Sequence, residues 1–188
     1  GGIIKPLYVE AVMNSGLVKE SYLEATALAD SIADSLQGEK SGTKIEATED
    51  ANDTEVAILA VTDWNQFICG TGNELTLDFL QDYNGESLIQ DEGKEPVVII
   101  SKMKMMELGK KPGDFIYLTI KDKCIGCRII GSYLGSLSKG YMKNPVIMSE
   151  YQMSQLTDQY YYMTARFTFD PLKNRELLQR GLELEKMV

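Results

Sequence analysis

The chain has 188 residues, with 19 Lys and Arg against 28 Asp and Glu, a formal net charge of −9 and no histidine. At roughly 100–200 residues per domain, this length allows one domain or two small lobes. Without histidine, the chain cannot form a Ser-His-Asp or Cys-His catalytic arrangement or a histidine-containing zinc site. A pI near 4.6 argues against nucleic-acid binding, which needs clustered Lys and Arg.

No apolar run approaches the roughly 20 residues that span a bilayer, and the sequence shows no signal peptide. The chain begins Gly-Gly-Ile-Ile without a Met. These two features predict a soluble piece excised from a larger protein.

The N-terminal third predicts one short helix and one or two strands. Pro6 suits the first turn of a helix over residues 3–15. Residues 17–29 fit either a strand or a helix, because Val18, Tyr22 and Thr26 suit a strand whereas the Ala-Leu-Ala segment suits a helix. The polar span 37–54 is predicted as a loop, and the continuous apolar run 55–62 as a buried strand.

The segment between these strands and residue 96 is the least regular. Phe67 to Cys69 form a small apolar segment before a turn, and Asp63 and Trp64 are interpreted as the end of the preceding strand. Residues 75–80 predict a strand or a short helix, while residues 81–95 are acidic and rich in turn residues.

The clearest pattern lies in residues 96–156. After a buried strand over 97–100, Ser101 is predicted to cap a helix over 102–108, which ends at Gly109 and is followed by Pro112. Two strands then form a predicted hairpin, and a further short strand leads to Ser149, which is predicted to cap a helix that ends near residue 156. These three strands are predicted over 115–120, 124–133 and 145–148.

The C-terminal segment predicts a strand followed by a helix. Residues 160–169 alternate with a period of two, which places Tyr161 and every second residue to Phe169 on one apolar face. Asp170 as N-cap and Pro171 at the first helical position predict a closing helix over 171–188.

These elements predict an α+β fold with two lobes, mixed but mostly antiparallel sheets, short helices, and the N- and C-terminal helices in one lobe. Lobe one is expected at residues 1–60 plus 157–188, and lobe two at residues 61–156.

No motif predicts a catalytic, cofactor-binding or metal site. Cys124 and Cys127 lie three apart in a predicted strand, so they face opposite sides, and together with Cys69 they are interpreted as packing thiols. Six carboxylates are interpreted as a solvated acidic surface rather than an acid–base pair. They are Asp78, Asp82, Glu86, Asp91, Glu92 and Glu95.

Two further groups of residues are assigned to packing rather than to a contact surface. In Tyr160-Tyr161-Tyr162, Tyr161 is expected in the core and its neighbours on the outer face. Met103, Met105 and Met106 cluster on the predicted short helix and are likewise expected to pack in the core.

A recurring pattern extends from Val97-Val98-Ile99-Ile100-Ser101 through Leu108-Gly109-Lys110-Lys111-Pro112-Gly113-Asp114 to Cys127-Arg128-Ile129-Ile130-Gly131-Ser132-Tyr133. It resembles the MacB-like periplasmic core domain, the extracytoplasmic insert of MacB/FtsX-type ABC transporter permeases. Its characteristic residues are structural: Ser101, Gly109, Pro112, Gly113, Asp114, Gly131 and Ser149.

The resemblance implies a non-enzymatic domain on the extracytoplasmic face of a cell membrane, without a cofactor. Membrane helices would flank it, and an ABC ATPase subunit would act on it through that membrane region. The domain would relay ATP-driven motion and contact substrate, a second permease copy or an accessory extracytoplasmic protein.

Two other functions remain open at this point. A soluble ligand- or protein-binding module with a β-barrel-like core would show a closed barrel around 96–148 and a concave apolar pocket. A histidine-free hydrolase would require two carboxylates in one cleft.

Overall fold

A computed structural model describes residues 3–35, 55–70, 76–79, 95–135, 137–139, 142–173, 179–180 and 186. The predicted loop 37–54, nearly all of the acidic segment 81–95 and most of the predicted helix 171–188 lie outside these residues. Of that helix, a turn of 3-10 helix at Pro171–Lys173 is described.

Short helices alternate with strands along the chain. In order they are α1 (Pro6–Met13), β1 (Val18–Ala29), β2 (Ser31–Ala33), β3 (Val56–Val61), α2 (Trp64–Gly70), β4 (Thr76–Phe79), β5 (Val97–Ser101), α3 (Lys102–Glu107), β6 (Phe115–Ile120), β7 (Lys123–Leu134), β8 (Ser138–Lys139), β9 (Met142–Lys143), β10 (Val146–Ser149), α4 (Glu150–Leu156) and β11 (Tyr161–Phe169).

The main sheet has the strand order β11-β1-β3-β10-β5-β7-β6-β2, and β4 pairs with the end of β7. The β10–β3 and β5–β7 pairs are parallel, and the other pairs are antiparallel. The predicted α+β fold with a mostly antiparallel sheet is therefore confirmed.

The sheet closes on itself because β1, second in the strand order, and β2, last in that order, are separated in the chain by Asp30 alone. At the bend, the Asp30 N–H donates to the Thr119 carbonyl at 2.8 Å. The Asp30 carboxylate accepts from the Lys121 N–H at 2.6 Å. The resulting barrel includes residues 18–33 and 56–61 as well as the 96–148 region.

Two apolar clusters occupy the two faces of this sheet, as the alternation of strand side chains requires. On β3, Ile58 and Ala60 belong to the inner cluster. Leu59 and Val61 belong to the outer one, which also contains Trp64 of α2. Since both faces are covered, β3 and β5 are continuous apolar runs rather than alternating ones.

The prediction of which β11 side chains point into the core is wrong at the start of the strand. Tyr162 is buried in the inner cluster, whereas Tyr161 is 48% exposed. On β1, Glu24 pairs with Thr164 and the next residue pairs with Tyr162, so Met163 is an extra residue in β11. This bulge reverses the alternation, so that Ala165 packs against the same cluster as Tyr162.

Both predicted lobes contribute strands to this one sheet. In particular, β3 of lobe one pairs with β10 of lobe two, and β2 of lobe one pairs with β6 of lobe two. The division into lobes remains a prediction. Within the described ranges, no helix is both long enough and apolar enough to cross a membrane.

Candidate functional site

The pattern residues that follow β5 shape a compact strand–helix–turn unit. The Ser101 hydroxyl accepts from the Lys104 N–H at 3.1 Å and caps α3. Gly109 has φ +65° and Gly113 φ +97°, a region that L side chains resist. The Asp114 carboxylate accepts from the Lys111 N–H at 3.0 Å. This turn, which also contains Pro112, leads directly into β6.

Of the other two pattern residues, Ser149 ends β10 and Gly131 lies within β7. Ser149 caps α4, because its hydroxyl accepts from the Gln152 N–H at 3.2 Å. Gly131 follows an irregularity in β7, where Ile130 is an extra residue relative to β5. All seven pattern residues therefore lie in caps, turns or strand pairing, and these contacts are structural.

The cysteines are separated as the strand geometry predicts. Cys124 is exposed and Cys127 is buried inside the barrel, while Cys69 is exposed on α2. Burial, and to a lesser extent the neighbouring Cys124, raises the pKa of the Cys127 thiol to about 12. A thiol that keeps its proton at neutral pH is a poor nucleophile and a poor metal ligand.

A buried polar cluster lies between β1 and β11, and the sequence analysis missed it. The Tyr22 hydroxyl donates to the Glu24 carboxylate at 2.8 Å, and the Thr164 hydroxyl donates to the same carboxylate at 3.5 Å. Glu24 is 3% exposed, and a buried carboxylate needs such donors. The Arg166 guanidinium lies 4.6 Å from the Tyr22 ring centroid. The available signal was Glu24 as the one charged residue of the mostly apolar stretch from Tyr22 to Ala29.

The methionine helix is only partly buried. Met105 packs in the inner cluster, as expected for a core residue. The expectation is wrong for Met103 and Met106, which are 69% and 70% exposed. A helix of this length presents one side to the sheet, so residues 103 and 106, three apart, share the opposite side.

Of the six predicted surface carboxylates, the structure describes Asp78 and Glu95, and the other four lie outside its ranges. Asp78 lies 3.9 Å from the Lys102 ammonium, and Glu95 lies 4.0 Å from the Arg128 guanidinium. In the part of the chain that is described, no group of three or more Cys, Asp or Glu side chains could hold a metal ion.

A groove of about 650 Å³ opens beside the bend between β1 and β2. Its walls include Leu28 of β1, Ile120 at the end of β6 and Tyr161 at the start of β11. Its charged residues are Asp30, Lys121 and Asp158. The groove is mixed in polarity and lies outside the packed barrel interior.

Comparison with known proteins identifies similar folds among solved structures. The extracellular domain of the ABC-type transporter YknZ from Gram-positive bacteria is 10% identical, with a TM-score of 0.49 over 92% of this chain and 77% of that one. A domain of a protein described as a permease, from Porphyromonas gingivalis, is 12% identical, with a TM-score of 0.47 over 95% of this chain and 68% of that one. At these identities the likeness concerns the fold alone. No protein-family profile and no curated protein matches the chain.

Proposed function

We propose that this chain is a non-enzymatic extracytoplasmic domain of an ABC transporter permease of the MacB-like type. In this role it relays conformational change driven by a partner ATPase and contacts substrate, an accessory protein or a second permease copy. ATP hydrolysis takes place on the partner subunit, and the domain itself requires no cofactor.

The observation that carries this proposal is the way in which the segments flanking α1 are hydrogen-bonded to β11 and to the residue that follows it. Ile4 and Tyr162 exchange both backbone hydrogen bonds, at 2.8 and 2.9 Å. At the other end of β11, the Asp170 N–H donates to the Leu17 carbonyl at 3.1 Å. A displacement of either segment would therefore move the other segment and the outer edge of the barrel.

The buried side of α1 strengthens this connection. Val9 packs in the inner cluster together with Tyr162, so α1 is anchored to the barrel through its side chains as well as through Ile4. Such a joint suits a domain inserted between two moving membrane segments, as the sequence resemblance implies. The direction of the predicted helix 171–188, which would test this further, lies outside the described residues.

Accessibility of the native thiols tests the location. In intact cells that express the full-length protein, a membrane-impermeant maleimide is expected to label Cys69 and Cys124, which are both exposed. The matched control is the double variant C69S/C124S, which retains the buried Cys127 and should lose this labelling. Labelling of Cys124 that requires cell lysis would contradict the proposed location.

Co-purification tests the proposed partner. The full-length protein, solubilised in detergent, is expected to bring down an ABC ATPase subunit whose ATP hydrolysis changes when the Ile4–Tyr162 pairing is broken by Ile4→Pro. Proline removes the N–H that Ile4 donates to the Tyr162 carbonyl. A full-length protein without an associated ATPase, or an ATPase rate indifferent to the substitution, would contradict the relay.

A further inference from the structure

The groove beside the β1–β2 bend coincides with an interruption in strand pairing. On one side of β1, the ladder to β11 ends at the pair Thr26–Tyr161. Hydrogen bonding on the barrel-closing side resumes at Asp30, whose N–H donates to the Thr119 carbonyl. At about 3.3 Å per residue, the interval between Thr26 and Asp30 is roughly 13 Å long. That length accommodates about four residues of an extended chain.

The backbone of Leu28 faces this interval. The Leu23 carbonyl accepts from the Thr62 N–H of the segment that follows β3, and the β1–β3 register is regular from Glu24 to Ala29. Because alternate residues of an antiparallel strand bond to opposite neighbours, Leu28 directs its N–H and C=O away from β3. Among the described residues, Leu28 has no ladder partner on that side.

The side chains around Leu28 combine apolar surface with negative charge. Leu28 is 46% exposed and Tyr161 is 48% exposed, so an apolar side chain could rest between them. Asp30 and Asp158 supply two carboxylates, against the single ammonium of Lys121. The chain as a whole has a net charge of −9, so the electrostatic field of the protein also favours a cationic ligand.

We propose that this groove binds an extended, basic peptide segment of a partner protein. The segment pairs with the Leu28 N–H and C=O as an added strand. One of its side chains packs on Leu28 and Tyr161, and a Lys or Arg side chain lies beside Asp158. This inference does not depend on the proposed permease function, and the experiment below isolates it from that proposal.

The binding test uses amide NMR spectra of the whole chain titrated with two blocked pentapeptides, Thr-Val-Lys-Val-Thr and Thr-Val-Glu-Val-Thr. The lysine peptide is expected to cause saturable shifts at Leu28 and its neighbours, with a downfield move of the Leu28 amide proton as it gains an acceptor. The glutamate peptide should bind about tenfold more weakly, because it places a like charge near Asp158.

Four outcomes would overturn the proposal. The first is the absence of a saturable shift at Leu28 with the lysine peptide, and the second is an equal response to both peptides. The third is the same shift pattern with n-butylammonium alone, which would indicate a site for small organic cations. A concentration-dependent shift at Leu28 without peptide would assign the groove to a second copy of the chain and would also overturn it.

Charge-reversal variants separate local from general electrostatics. Asp158→Lys is expected to weaken the lysine peptide about tenfold, because the reversal acts at close range. Glu107→Lys on α3 makes the same change in net charge outside the groove and should alter the affinity less than about twofold at physiological salt. Equal effects of the two substitutions would contradict a defined site. Unchanged amide chemical shifts outside the substituted region verify that each variant is folded.

Discussion

Alkaline stability offers a direct test of the barrel interior through Cys127. Burial raises the pKa of this thiol from 9.0 to about 12. The folded protein therefore keeps a proton that the unfolded chain loses at lower pH. The contribution of this group to the free energy of unfolding is complete below pH 9 and is lost as the pH rises from 9 towards 12.

The magnitude follows from the number of protons involved. One fully retained proton changes the free energy of unfolding by about 1.4 kcal/mol per pH unit, so Cys127 accounts for about 1 kcal/mol of lost stability between pH 9 and 10. Tyr22, Tyr133 and Tyr162 contribute as well, from about pH 9 and most strongly above pH 10, because burial is the main cause that raises the pKa of each hydroxyl. The combined slope is then about 5 kcal/mol per pH unit, enough to unfold a domain of ordinary stability within about two pH units.

The assay is urea unfolding at pH 7 to 10, followed by the fluorescence of the single tryptophan, Trp64, which is 1% exposed. Cys127→Ala is expected to reduce the slope between pH 9 and 10 by about half, whatever its effect on stability at pH 7, because the three buried tyrosines supply the rest. Cys124→Ala, at an exposed position, is the matched control and should retain the slope. Equal slopes in the wild type and Cys127→Ala would refute the assignment to the buried thiol.

Three further substitutions test particular contacts by the same unfolding assay. Lys121, in the two-residue turn between β6 and β7, has φ +53°, so Lys121→Gly should stabilise the protein by up to about 1 kcal/mol by relieving left-handed strain. A lower stability would contradict this. Tyr22→Phe removes the 2.8 Å hydrogen bond to the buried Glu24 and should lower the free energy of unfolding by about 1.5–3 kcal/mol. An unchanged free energy of unfolding would contradict a stabilising role for the Tyr22–Glu24 hydrogen bond. Leu118→Ala, at a fully buried barrel position, should cost about 2–5 kcal/mol, while a cost below 1 kcal/mol would mean that the interior is loosely packed.

Elements with a strong local pattern could be predicted from the sequence. The β6–β7 hairpin and the strands β3, β5 and β10 lie within a residue or two of their expected bounds, because continuous apolar runs bounded by turn residues are distinctive. β1 was ambiguous because its alanines also suit a helix. Pairing with β3 and β11 on its two sides determines its conformation, as tertiary context commonly does for strands.

The helix α2 was missed although a start signal was present. The Asp63 carboxylate accepts from the Gln66 N–H at 3.0 Å and from the Gln66 side-chain amide at 3.3 Å. The first of these bonds is the contact from an N-cap side chain to the N3 backbone N–H that begins a capping box. In the sequence, Asp63 directly follows a buried strand, and its position favoured the interpretation as a strand end. The spacing Asp63–Gln66 was the signal that could have identified this helix.

The closure of the barrel depends on a pairing that no local pattern contains. Ser31 of β2 meets Thr119 of β6, far along the chain, after a bend at Asp30. Small side chains make this approach sterically feasible: Ala25, Ala27 and Ala29 line the inner cluster from β1, whereas β6 contributes larger residues, Ile116, Leu118 and Ile120. Pairing small residues on one wall with large ones on another is how a narrow barrel fills its interior. The same alanines that made β1 resemble a helix in the sequence thus provide the space in which the barrel closes.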